Sequence, residues 1–191
     1  AIEAIFTRVQ SIWKPVAPEE SFEIVRRRLF ASIGGESERE DTCRAFMEMY
    51  HANPTLFPTD VQEAAYADRM RKTYPLHPEV FDRLYTDWST LPKFQKTRGV
   101  LQYMAIVINR LWNLDNNDAL ITLGAIPLSD TDVEAKSTQY LIPGWEPVIE
   151  SEIDGLRSIA GQLDAQKPDY GAFKMAQRTA RSIFFGSAPS S

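Results

Sequence analysis

Three cations crowd one short segment of this chain, Lys93-Phe-Gln-Lys-Thr-Arg-Gly-Val-Leu101. Lys93, Lys96 and Arg98 stand where a stretch of helical apolar periodicity begins, which gathers them at a helix N-terminus. The helix dipole is already positive there, so added cations cost stability. The same arrangement suits a phosphate, which takes donors from unpaired backbone N–H groups and from lysine and arginine together. Gly99, in the first turn, lets a backbone or a ligand approach closely. On chemistry alone, a solvated basic corner is the leading reading of this segment.

The other reactive residue types are sparse. There are two histidines, His51 and His77, and one cysteine, Cys43. His77 lies in Tyr74-Pro-Leu-His-Pro-Glu79, where the prolines force an extended approach and Pro78 suits a first helical turn. His77 is then a cap, with a ligand or base role as the alternative. Cys43 falls on the apolar face of its helix and reads as a small buried hydrophobe. One cysteine excludes an intrachain disulfide and a cysteine-based zinc cage. No metal site is expected. Acidic groups such as Glu19-Glu20, Glu38/Glu40-Asp41 and Glu150/Glu152/Asp154 read as solvated faces or first-turn charges. Arg26-Arg27-Arg28 fan around a helix and cannot all face one ligand, and Glu23 can pair with Arg27. A phosphate-binding Gly-x-x-x-x-Gly-Lys-Ser/Thr loop is absent, as are an apolar strand ending in paired acids, a Gly-x-Ser-x-Gly elbow and His-Glu-x-x-His.

The elements that must position these residues are helical. Phe22, Val25, Leu29 and Ile33 form one stripe across Glu19–Ile33, closed by Gly34-Gly35. Further helices are expected over Glu36–His51, from Asp60 to about Thr73, from Pro78 to about Trp88, and from Thr97 to Trp112. The last of these has so wide an apolar stripe that it reads as a nearly buried central helix. Asp130 caps a helix to Leu141, Trp145–Gln166 holds one or two, and Tyr170–Arg181 holds the last. Ala119–Leu123 reads as a short strand or equally as a short helix, and Ser182–Gly186 reads as a short strand. The fold class is therefore mainly α, a bundle of six to eight helices with at most one or two short strands. A complete α/β nucleotide-binding sheet is not encoded. The tryptophans Trp13, Trp88, Trp112 and Trp145 read as core or domain-contact residues.

Composition narrows the class further. The 191 residues carry 26 acidic and 21 basic side chains, a net charge of -5, which argues against a general nucleic-acid coat. The hydrophobic fraction of 43% excludes disorder, and no apolar run is long enough to span a bilayer. A reducing cytoplasmic setting fits the single cysteine. With no initiator methionine, the chain is expected to be a piece of something longer.

Ile24-Val-Arg-Arg-Arg-Leu-Phe30, Tyr74-Pro-Leu-His-Pro-Glu79 and Phe94-Gln-Lys-Thr-Arg-Gly-Val-Leu101, in this order, resemble the prokaryotic AAA+-like ATPase family of the domain of unknown function 499. Ile126-Pro-Leu128, Gly144-Trp-Glu-Pro147 and Ile183-Phe-Phe185 extend the resemblance over most of the chain. It implies the helical, lid-side portion of the ATPase, with residues 1–113 as a lid-like domain. Residues 114–191 would be a helical extension with a short C-terminal strand. Arg98 is similar to the sensor 2 arginine, which reaches the γ-phosphate from the lid, and Lys96 would support it. Arg8 falls roughly where an arginine finger would sit, on too loose a match to use. The resemblance implies no cofactor in this piece, but ATP and Mg in the parent protein. It implies as partners the ATPase core of the same polypeptide and further copies in a homo-oligomer, with DNA-modifying proteins beside them and no membrane. Relatives in phage-defence systems set the biological context.

Two rivals remain. A non-enzymatic helical interaction module of a DNA-modification or phage-defence complex predicts an exposed apolar patch at Trp145 or Phe184-Phe185. A self-contained carboxylate enzyme ranks last, because no acid pair is nominated.

Overall fold

The structure is a computed structural model that describes residues 18–190, with side chains from Ile24 onward. Arg8, Trp13 and the side chains of Glu19, Glu20 and Glu23 lie outside that description. The described residues form ten α-helices and no sheet. The helices are α1 (Pro18–Leu29), α2 (Glu36–Ala52), α3 (Ala64–Thr73), α4 (Pro78–Asp82), α5 (Lys96–Asn113), α6 (Thr131–Thr138), α7 (Trp145–Val148), α8 (Ile159–Gln166), α9 (Pro168–Gly171) and α10 (Met175–Ser187). The all-α expectation holds. There are more helices than expected because local backbone breaks divide the long patterns. Gly155, at φ 98°, separates a π-helical turn (Ile149–Ile153) from α8, and Lys174, at φ 51°, separates α9 from α10.

The caps follow the sequence chemistry. Asp130 accepts from the Asp132 and Val133 amides at 3.2 Å, which fixes the start of α6. His77 accepts from the Glu79 amide at 3.2 Å, with Pro78 at the first helical position of α4. A second π-helical turn, Arg83–Asp87, carries the chain from α4 into a 3₁₀ turn that buries Trp88.

Neither expected strand forms. Ser182–Gly186 is helical, inside α10. Ile and Phe favour strands locally, but Gln177, Arg181, Phe184, Phe185 and Ala188 recur at helical spacing and all are buried. Burial of that stripe outweighs the local preference. Of Ala119–Leu123, only Ile121 pairs, in one parallel bridge to Leu76. Pro75 and Pro78 flank Leu76 and have no N–H to donate, so the ladder stops after one step.

The main core draws on helices from both sides of residue 113. Trp88 is its centre, stacked on Tyr103 at 6.3 Å and against Phe185 at 5.4 Å, with its indole N–H donating to the Phe185 carbonyl at 3.0 Å. A smaller cluster under α2 and α3 buries Cys43, Met47, Tyr50, Tyr66 and Met70. Helix α5 buries Gly99, Val100, Tyr103, Met104, Val107 and Leu111 on one face. It is less enclosed than its composition suggests. Ala105 is exposed and Trp112 is 82% exposed, because α1 and α6 cover α5 without surrounding it.

Candidate functional site

Helix α5 starts abruptly. Phe94 is buried, and its carbonyl accepts from the Lys96 amide at 3.0 Å. This tight turn drives Lys96 to φ 32°, in the left-handed region that non-glycine residues rarely adopt. Phe94 is held edge-on against Tyr140 at 4.9 Å and against Trp88 at 6.4 Å. A Cβ on Gly99 would stand 3.1 Å from the Phe94 ring, so the glycine lets that ring lie flat along the first turn. The close approach expected at Gly99 is therefore made by an aromatic side chain of the same chain.

The start of α5 has no side-chain cap and no acidic residue in its first turn. Its positive dipole end is left uncompensated. Beside it opens a pocket of about 470 Å³ lined by Lys93, Gln95, Arg98, Gly99, Gln102, Gln139 and Tyr140. Two cations and three primary amides face it, and among the described residues no carboxylate does. Arg98 and Lys93 are exposed, and neither has a hydrogen bond or ion pair among the described residues. Most other arginines differ. Arg39, Arg44, Arg69, Arg71, Arg83, Arg110, Arg178 and Arg181 each meet a carboxylate.

Of the two expected site residues, Arg98 lines the pocket and Lys96 does not. Residues 91–95 are not helical, so the turn at Phe94–Gln95 swings Lys93 to the pocket instead. Gln102 was legible in principle, one turn after Arg98 on the same helix. Gln139 and Tyr140 follow α6 and reach the site only through the packing of α6 on α5. Tyr140 is further held by Lys136, whose ammonium lies 5.3 Å from the ring centroid. This arrangement can bind a polyanion by charge and by amide donors. Among the described residues no serine, cysteine or carboxylate lines the pocket, and no group of three His, Cys, Asp or Glu side chains could hold a metal ion.

The remaining reactive residues are engaged structurally. His77 Nδ1 accepts the α4 capping bond, so its neutral ring carries the proton on Nε2 and donates to Tyr50 Oη at 2.8 Å. Burial, helped by the Arg69 charge, pushes its pKa down to about 4. Cys43 is fully buried, and burial followed by the nearby Glu40 charge raises its thiol pKa, the opposite of an activated nucleophile. Glu38 accepts from the Gly35 amide, Glu40 pairs with Arg71 and Asp41 with Arg44.

One polar centre overturns the sequence reading, since Asp154 does not share the solvated face of Glu150 and Glu152. Asp154, 2% exposed, accepts from Arg181 at 2.5 Å, from the Gly155 amide at 2.9 Å and from the Ser129 amide at 2.7 Å. Arg181 also donates to the Gly124 carbonyl at 3.1 Å. These residues are 27 and 57 positions from Arg181, beyond any local pattern.

A family profile described as the DUF499 second domain matches residues 17–184. Neither the curated proteins nor the solved structures give a match.

Proposed function

The chain belongs to the DUF499 family as its second domain, and from that premise we propose that it is the phosphate-sensing helical lid of an AAA+-like ATPase. In this reading the nucleotide is bound by an ATPase core elsewhere in the same polypeptide. This domain closes over it and brings Arg98 to the γ-phosphate. The observation that carries the reading is the pocket at the start of α5. Among the described residues, Arg98 and Lys93 face it unpaired beside an uncapped helix N-terminus, and no carboxylate lines it. The description "second domain" is consistent with a preceding domain that would supply the core.

The chemistry follows from the side chains. As the bond to the γ-phosphoryl group breaks, charge builds on its peripheral oxygens, and a fixed guanidinium stabilises that charge. Lys93 adds a second cation from the pocket wall, and Lys96 lies just outside it. Gln95, Gln102 and Gln139 supply neutral donors that hold phosphate oxygens in place. The pocket residues fit the phosphates of ATP but not Mg²⁺, which requires oxygen anions and would sit on the core. Because Arg98 comes from a separate element, closing and opening couple hydrolysis to motion. The partners in this reading are the core, neighbouring copies in a homo-oligomer, and DNA-modifying proteins of a cytoplasmic phage-defence system. No helix among the described residues is long and apolar enough to cross a membrane.

The test is steady-state ATP hydrolysis by the complete protein, comparing Arg98→Ala with wild type. Arg157→Ala is the control, since Arg157 is exposed and outside the pocket. Arg98→Ala is expected to lose on the order of a hundredfold in rate, with Arg157→Ala near wild type. Normal hydrolysis by folded Arg98→Ala would end the sensor reading.

The second reading, a non-enzymatic interaction module, is supported by a different surface from the one first expected. Phe184 and Phe185 are buried and Trp145 packs against the core, so none of them forms an exposed patch. Four exposed apolar side chains, Ile159, Leu163, Met175 and Ile183, gather on α8 and α10 instead.

A further inference from the structure

The groove between α8 and α10 is a largely apolar surface that the described residues leave open. It encloses about 590 Å³, with Ile159, Leu163, Met175, Thr179 and Ile183 along its walls. Met175 is 50% exposed and Ile183 63%. Contiguous apolar side chains this open to water mark an interaction surface.

The surface has two unlike ends. Asp164, near the end of α8, accepts from the Ala176 and Gln177 amides at 2.8 and 3.1 Å. Asp154, before α8, accepts from Arg181 at 2.5 Å. The two helices therefore run antiparallel. Lys167, just after α8, stands at the Met175 end of the groove, and Glu152, before α8, at the Ile183 end. The Lys167 ammonium lies 5.3 Å from the Tyr170 ring centroid, and Glu152 accepts from the adjacent Ser151 hydroxyl at 3.3 Å. Both residues are exposed, and neither meets an opposite charge among the described residues.

This order is its own complement. Met175, Thr179 and Ile183 are four residues apart and share one face of α10. Thr179, a short side chain, has a projecting apolar one about 6 Å away on each side. A second copy turned end over end about an axis through Thr179 sets each Ile183 opposite the other copy's Met175. The same rotation sets each Lys167 opposite the other copy's Glu152, while the two threonines at the centre let the helices approach. A parallel placement would instead set lysine against lysine and glutamate against glutamate.

We propose that the α8–α10 groove is the two-fold interface of a homodimer, in which α10 packs antiparallel to α10 of a second copy. Such an interface uses the same residues twice and closes at two copies. The opposite charges at its ends fix the direction of pairing. No residue of the α5 pocket lines this groove, so the pairing and the nucleotide reading stand or fall separately.

The test is the molar mass of the 191-residue chain by sedimentation equilibrium over a range of concentrations. A small face of this kind gives a weak dimer, with a dissociation constant on the order of 10–100 μM. Ile183→Asp puts two carboxylates into the apolar contact and should weaken the dimer at least about a hundredfold. Leu56→Asp, at an exposed apolar residue elsewhere, should leave it unchanged. Lys167→Glu alone and Glu152→Lys alone each set like charges together, and each should weaken the dimer about tenfold. The double variant Lys167→Glu/Glu152→Lys restores opposite charges at both ends and should return the dissociation constant to near wild type. Both positions are exposed, so this exchange stays readable where Ile183→Asp does not fold. A chain that remains monomeric to about 1 mM would overturn the pairing and leave the groove to a different protein. So would a dimer that survives Ile183→Asp, or one that the double charge variant fails to restore. A mass that climbs past two copies would overturn it too, because it marks an open head-to-tail assembly.

Discussion

At the start of α5, Arg98 faces an open pocket in which no carboxylate of the described residues answers it. In the second half of α10, Arg181 is closed in by Asp154 and the Gly124 carbonyl. The residue type is the same and the surroundings are opposite. Arg181 is 6% exposed, and its two terminal nitrogens join α10 to the Gly124 carbonyl and the Asp154 carboxylate. Arg98 joins nothing among the described residues. A guanidinium left unpaired beside an uncapped helix end costs some local stability and keeps its donors available for an incoming anion. An arginine compensated inside the fold supports architecture, and an uncompensated one on a pocket wall is the better candidate for binding.

The largest effect that can break this contrast is at Arg181. Arg181→Ala leaves the Asp154 carboxylate buried without its counter-ion, and a loss of about 3–5 kcal/mol in unfolding free energy is expected by denaturant titration. A loss under about 1 kcal/mol would mean that the backbone donors to Asp154 suffice, and that Arg181 is less structural than its burial implies.

His77 sharpens the contrast from the structural side. Its pKa falls from 6.5 in the unfolded chain to about 4 in the fold, so the fold prefers the neutral ring. Above pH 6.5 both states are neutral and the shift has no effect. As pH falls toward 4 the unfolded state takes the proton first, and stability is lost, reaching about 3 kcal/mol. Glu79 opposes this, because burial and then Asp82 raise its carboxyl pKa, and a raised carboxyl gains stability on acidification. Comparison with His77→Asn isolates the histidine, since asparagine retains an N-cap acceptor but does not titrate. The wild type should lose more stability than His77→Asn between pH 6.5 and pH 4. Parallel curves would show that His77 is not held neutral.

The smallest expected effect is at Arg98 itself. Arg98→Ala should change unfolding stability by no more than about 0.5 kcal/mol, as for a surface residue with no partner. A loss near that of Arg181→Ala would reveal a structural partner for Arg98 and erase the contrast on which the pocket reading stands.

Much of this molecule was legible residue by residue. The helix class follows from apolar spacing, the caps at His77 and Asp130 from side-chain chemistry, and the buried role of Cys43 from its place on a stripe. The crowding of cations near α5 was legible too, because it is local. Three features were not. The helical state of Ser182–Gly186 depended on burial against Trp88, a residue 97 positions from Phe185. The choice of Lys93 over Lys96 as pocket wall depended on the turn at Phe94, which Tyr140 and Trp88 hold in place. The pairing of Arg181 depended on loops brought in from elsewhere. Spacing along a chain determines which residues share a face of a helix. Only the packing of one helix on another decides which charges meet a partner and which are left facing solvent, because electrostatic pairing acts over a few ångströms of space and not over sequence.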